Sequence, residues 1–443
     1  PPLELDRRQR QMCIRDRSRR GEQLDDRVSP ANRSDETIDA GIFRSQWPPP
    51  STRTRGAALT RRQHAMTNDL ATKLMVDFAD ATGLSSNTAP RRYLWTDAFA
   101  VCNFLGLYRT LSDDHYLKLA LRLVDQVHHI LGHHRDDDPR CGWISGLSGQ
   151  EGERHPTRGG LRIGKSLSER RPDQPPDPDL EWDRDGQYFH YLTKWMHALQ
   201  RTARETSEHR YQQWAVELAV TAHDAFTYQT FPDVPQRMVR KMSIDLSRPL
   251  VPSMGHHDPL DALITYLVLQ AALPVERDQE PRLARAIAET AEMCGGASWA
   301  TDDPLGIGGL LEGATRLAQL VFQHGVKHRR LLRKLLLEAD VSLRSFARSS
   351  LLNHPAEHRL AFRELGLSIG IQGLTQIKSL VQQDRELTDA VNELLEYQSL
   401  AEQIQAFWSD PAHRQNTTWT QHGDINTVML ASSIAPMGYL KVL

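Results

Sequence analysis

Cysteine is nearly absent from this sequence: there are four in 443 residues, none in a C-x-x-C pair. That excludes a disulfide framework and a thiolate zinc site, and it suits a reducing, cytoplasmic setting. Long apolar runs are also missing. A membrane span needs roughly 20 such residues, and the nearest stretch, 262–275, is broken by Thr265, Gln270 and Pro274. No membrane partner is expected. Val, Ile and Thr never form the alternating runs that strands need. Lysine is absent from the first 65 residues, which carry 14 Arg against 9 Asp and Glu. The rest of the chain holds 40 basic and 47 acidic groups. That acidic balance argues against nonspecific nucleic-acid binding, which relies on a basic footprint.

The odd first segment contains Gln11-Met12-Cys13-Ile14-Arg15-Asp16-Arg17. This run resembles the translation of a transposon-end adapter used in sequencing libraries. Residues 1–65 are expected to be a disordered or artefactual extension, and 66–443 a single domain. Met66 then opens a stretch with helical periodicity.

What is present beyond that point is helix after helix. Tyr116, Leu117, Ala120, Leu121, Val124 and Val127 form one apolar stripe, with Lys118, Arg122 and Asp125 outside it. The same design returns 95 residues later, where Tyr211, Ala215 and Leu218 match Tyr116, Ala120 and Leu123. A weaker version starts at Pro281. Each amphipathic helix follows a more uniformly apolar one, such as 95–108 and 258–270. Further pairs are expected at 303–323 with 327–350 and at 356–381 with 384–408. A last helix over 424–442 would pair with one over 67–82. Six such hairpins can close into a ring with buried helices inside and amphipathic helices outside.

The Tyr-x-x-x-Ala-x-x-Leu outer helices and the charged starts of the inner ones resemble the six-hairpin glycosidase-like superfamily, all-α (α/α)6 toroids. Unsaturated glucuronyl hydrolases and N-acylglucosamine 2-epimerases belong to it. The resemblance implies a saccharide in the central cavity, worked on by acid–base chemistry and without a cofactor. Trp95-Thr96-Asp97 is similar to the Trp-x-Asp segment that carries an acidic residue in the glucuronyl hydrolases.

Several inner-helix starts gather polar groups. Trp182, Asp183 and Asp185 precede a helix bearing Gln187, His190, Lys194 and His197 as a polar stripe. His256, His257 and Asp258 open the next, and His422 with Asp424 opens the last. Acidic groups are stabilised at helix N-termini, so capping accounts for them as well as ligand binding does. The expected catalytic residues are Asp97, Asp185, His256 and His257. Trp95, Trp182, Asp183, Gln187, His190, Lys194, Asp258 and His422 are expected to bind substrate. Residues 132–182 form a long loop of the kind that often serves function. Trp143, Arg154, His155, Arg158, Arg162 and Lys165 would make it a lid suited to an anionic saccharide.

Two motifs are set aside. Gly159–Ser166 fits the phosphate-binding pattern G-x-x-x-x-G-K-[ST] but lacks the strand before it and the helix after it. The Asp run at 136–138 lies beside Pro139 in a turn, and no Cys–His zinc pair occurs. No metal is expected. The reading is a carbohydrate-active enzyme, glycoside hydrolase or sugar isomerase; the alternative is a non-catalytic toroid that binds a glycan or a protein.

Overall fold

A computed structural model describes residues 69–231, 234, 236–273 and 281–442. The adapter-like run, the rest of 1–65 and Met66 lie outside the described residues.

Residues 69–81 form α1. The helices α2 (Leu94–Leu111) and α3 (Asp114–Leu131) make the first hairpin, and a short α4 (Gly149–Arg154) follows. The next hairpins are α5 (Phe189–Thr206) with α6 (His209–Phe226) and α7 (Asp258–Ala271) with α8 (Pro281–Met293). Then come α9 (Pro304–His324) with α10 (Arg329–Ala347), and α11 (Ala361–Leu380) with an outer helix broken into α12 (Arg385–Leu395) and α13 (Gln398–Ser409). The chain ends with α14 (Thr417–Thr420), α15 (Gly423–Ile434) and α16 (Met437–Leu440). Local chemistry sets these boundaries. Asp113 accepts from His115 N–H to open α3. Asp303 accepts from Gly306 N–H with Pro304 in the first turn of α9, and left-handed Gly325 ends it. Pro436, which has no N–H to continue a helix, separates α15 from α16, so the expected last helix is two pieces.

The apolar helices form a closed inner ring. Helix α2 packs on α5, α5 on α7, α7 on α9, α9 on α11, α11 on α15, and α15 back on α2. The amphipathic helices α3, α6, α8, α10 and α12–α13 each pack outside their partners. The chain therefore folds as an (α/α)6 toroid, as the hairpin count predicts. The stripe residues Tyr116, Ala120, Leu123 and their counterparts Tyr211, Ala215, Leu218 are buried against the inner ring. The closing seam is polar and specific: Asn103 of α2 donates to Val428 O at 3.0 Å and accepts from Ser432 of α15 at 2.9 Å.

All six inner N-termini share one face. Contacts pass round it in order: Tyr93 to Tyr191, His190 to Asp258, Arg363 to Asp303, Phe362 N–H to Asn426, and Arg91 to Asp424. At the opposite end, α16 enters the ring. His197 Nε2 meets Tyr439 O at 2.7 Å, and Gln319 bonds both Leu440 O and Val442 N–H. The interior of the ring, here termed the well, is bounded at this end by Tyr439.

Strands are brief. β1 (Gln187–Tyr188), β2 (Thr227–Tyr228), β3 (Arg237–Met238), β4 (Lys241–Met242) and β5 (Pro249–Val251) pair antiparallel as β1-β4-β5 and β2-β3. The β1–β4 register, Tyr188 opposite Lys241, fixes the entry to α5.

The loop 132–182 is not a free lid. Trp143 is buried in edge contact with His133, His155 meets Glu217 of α6 at 2.7 Å, and Trp214 of α6 donates to Arg154 O. Its later part is sewn to the starts of α2 and α5 through Leu94 N–H to Ile163 O and Ile163 N–H to Gly186 O. Buried backbone groups need partners, and this strap supplies them.

Candidate functional site

Helix α5 runs its polar stripe down the well. His190 is near the top, Lys194 one turn below and His197 at the floor. His190 Nδ1 lies 4.0 Å from Asp258 Oδ1. The other Asp258 oxygen accepts from Gly255 N–H at 3.1 Å, which holds the carboxylate at the start of α7. Lys194 Nζ lies 3.7 Å from Asp261 Oδ2 and 3.7 Å from Glu312 Oε2. The two carboxylate oxygens are thus no further apart than twice that distance. Arg316, one turn below Glu312 on α9, stands 4.8 Å over the Tyr439 ring, which stacks on Phe99 at 4.1 Å. Solvent enters from above: the His190 side chain is 34% exposed and Asp261 22%, against 5% for Glu312.

One wall is aromatic. The hydroxyls of Tyr93 and Tyr191 are 2.8 Å apart. Tyr191 packs against Trp95, Tyr188 and His190 with centroids 6.5, 5.2 and 4.7 Å away. Trp182 stacks on Tyr188 beneath Arg240.

Burial dominates the electrostatics. It pushes Asp258 up to about 6, against the pull of Arg240 and with help from Asp261. It raises Glu312, opposed by Lys194 and Arg316. Burial and then Arg240 push His190 down to about 3, so its imidazole is neutral. Burial alone would lower Lys194, but Asp261, then Tyr439 and Glu312, hold it above the ordinary lysine value. Among the described residues, no group of three or more His, Cys, Asp or Glu could hold a metal ion, and no helix is long and apolar enough to cross a membrane.

The structure brings together only part of the expected set. His190, Lys194 and Asp258 meet in the well, with Trp95 in its aromatic wall. Asp97 and Asp185 do not face each other across an open cavity. Asp97 is 1% exposed, accepts from Tyr93 N–H at 2.8 Å and lies 3.5 Å from Arg92; burial raises it to about 6. Asp185 is fully enclosed. Its oxygens accept from Gly164 N–H, Lys165 N–H, Gly186 N–H, Arg162 and Arg135. Two amides of the phosphate-loop-like segment thus go to Asp185 and others to neighbouring protein groups, and Arg162 is tied to Asp185. Gln187 is equally committed, bonding Leu161 N–H, Gly159 O and Ile244 O. Trp143 lies on the outer ring. Asp183 sits half-buried at the end of a short 3-10 turn with Trp182. Of the histidine pair, His256 is exposed and His257 bonds Trp299 O at 2.9 Å. His422 sits at the rim beside Phe362.

Asp261, Glu312, Arg316, Tyr93, Tyr191 and Tyr439 were not singled out from the sequence. Glu312 and Arg316 did carry a signal: they are the only charged residues in α9, four apart in an otherwise apolar helix.

No protein-family model matches the chain, and no curated protein matches it. Solved structures do. An inactive variant of the alpha-1,6-mannanase GH76A of Salegentibacter sp. HEL1_6, in complex with alpha-1,6-mannotetrose, aligns at 12% identity with a TM-score of 0.49, covering 84% of this chain and 99% of its own. The cellobiose 2-epimerase of Spirochaeta thermophila DSM 6192 aligns at 12% identity and 0.44, over 78% and 87%. The GH76 alpha-mannanase BT2949 of Bacteroides thetaiotaomicron aligns at 9% and 0.45, over 84% and 96%. At these identities and scores the toroid rests on the chain's own helix contacts.

Proposed function

We propose that the chain is a carbohydrate-active enzyme that works on a saccharide in the well by acid–base chemistry. The observation that carries this is the convergence of Asp258, Asp261 and Glu312 around Lys194 beneath an aromatic wall. Aromatic faces suit sugar rings, and carboxylates bind hydroxyls. Asp258, raised to about 6, holds a proton for a leaving oxygen on the acid side of that pH. Asp261, more open to solvent, takes the part of base or nucleophile.

A second reading is favoured by His190. A neutral imidazole 4.0 Å from a carboxyl group suits proton abstraction, and with it sugar isomerisation. The test is a panel of uronates, amino sugars and oligosaccharides. It is read by new reducing ends for hydrolysis and by solvent-deuterium incorporation at carbon for isomerisation. Asp258→Asn and Asp261→Asn should each lower turnover at least about a hundredfold. Full turnover in both variants on an identified substrate would overturn the assignment.

A further inference from the structure

A second cavity, of about 320 Å³, opens at the end of the ring opposite the well. That volume is at the small end of the ~300–1,000 Å³ range of small-molecule sites. Met75 of α1, Leu107 of α2 and Pro436 beside α16 give it an apolar wall. Arg109, Arg201 and Lys441 also line it, and no acidic residue does. Arg201 is 1% exposed. Its Nη2 donates to Glu205 at 3.1 Å, while its Nε and Nη1 have no partner. Arg204, next along the same helix, leaves Nη1 without one. Glu205 is shared, since it also takes Arg109 Nη1 at 2.9 Å. In the adjoining, more open cavity Arg109 and Arg204 are accompanied by Glu205 and Asp114. Burial, with Arg204, Arg109 and Arg201 as like charges, pushes the Lys441 ammonium below its ordinary value. Buried cationic donors without partners are costly, and a bound anion supplies what they lack.

We propose that this cavity binds a small organic anion, its carboxylate or phosphate held by Arg109, Arg201 and Lys441 and its apolar body against Met75 and Leu107. It is a site apart from the well, since none of its lining residues reaches Asp258, Asp261 or Glu312.

The experiment is calorimetric titration and thermal shift of the full chain in low-chloride buffer, with hexanoate and inorganic phosphate as separate probes. A saturable one-site isotherm with hexanoate identifies a carboxylate ligand, and one with phosphate a phosphate ligand. Arg109→Ala and Lys441→Ala lie at the solvent-reached rim, so they spare the fold, and each should weaken binding about tenfold. Asp261→Asn should leave it unchanged. No binding of either probe, a shift matched by sodium chloride at equal ionic strength, or unaltered affinity in both rim variants would overturn the proposal.

Discussion

Asp185 and Asp258 are both enclosed carboxylates at inner-helix starts, and their partners separate them. Asp185 receives three backbone N–H groups and two arginines, all within the strap and its own turn. Asp185→Asn removes a charge those donors need, so it should cost about 3–5 kcal/mol. Its midpoint in urea should fall while turnover per folded molecule stays near wild type. Asp258→Asn should do the reverse. The two differ in pH behaviour as well. Asp258 stands at about 6 when folded, above its ordinary value of 3.8, so the folded chain binds this proton more tightly than the unfolded one. Its contribution is full below about pH 4 and is lost as pH rises through 6, about 3 kcal/mol in all. Urea titrations from pH 4 to 7 should show the Asp258→Asn variant gaining on wild type across that window. If Asp258 is the acid, activity should decline on the alkaline side of about pH 6. Sequence alone could not rank these two aspartates. Spacing places a carboxylate at a helix start, but whether it turns to the lumen or to a strap twenty residues upstream depends on a long-range contact. Glu312 and Arg316 were legible, as lone charges in an apolar helix.

Helices were read more easily than side-chain directions because the 3.6-residue apolar period is local and repeats over whole segments. The hairpin order and the inner and outer roles followed from it. The breaks at Tyr397 and Pro436 did not, since the apolar stripe runs across both. The closeness of α9 and α11 was likewise hidden. Their backbones touch through glycines: a Cβ on Gly308 would lie 2.3 Å from Gly366 O, and one on Gly370 only 2.5 Å from Gly308 O. These neighbours are backbone and cannot swing aside. Gly370→Ala should therefore destabilise the ring by about 1–3 kcal/mol, as overpacked cores do. Gly309 makes the internal control. It lies in α9 next to Gly308, yet a Cβ there meets nothing within 4 Å. Gly309→Ala should keep or raise stability, by up to about 1 kcal/mol from helix propensity. Thermal unfolding of the two variants side by side checks whether contact or composition sets the role of glycine here.

At the scale of the whole ring, the last described residues act as its floor. Helix α16 reaches into the barrel, and Gly438 passes so near Gly106 that a Cβ on Gly106 would lie 2.9 Å from it. That approach delivers the Tyr439 ring to Phe99 and Arg316 beneath the acidic cluster. The floor supports three inner helices at once, because removing it exposes the lower ends of α2, α5 and α9 together. Tyr439→Ala should thus cost about 3–5 kcal/mol, the range for deleting a buried aromatic ring. It should also let Arg316 move, since its cation–π partner is gone. Tyr439→Phe keeps the stack on Phe99 and removes only the hydroxyl, so its midpoint should stay within about 1 kcal/mol of wild type. The pair separates two roles of one residue. If the floor matters only to stability, activity per folded molecule survives in both variants. If Arg316 must be held beneath Glu312 for substrate to seat, the alanine variant raises KM with kcat little changed, while phenylalanine restores it.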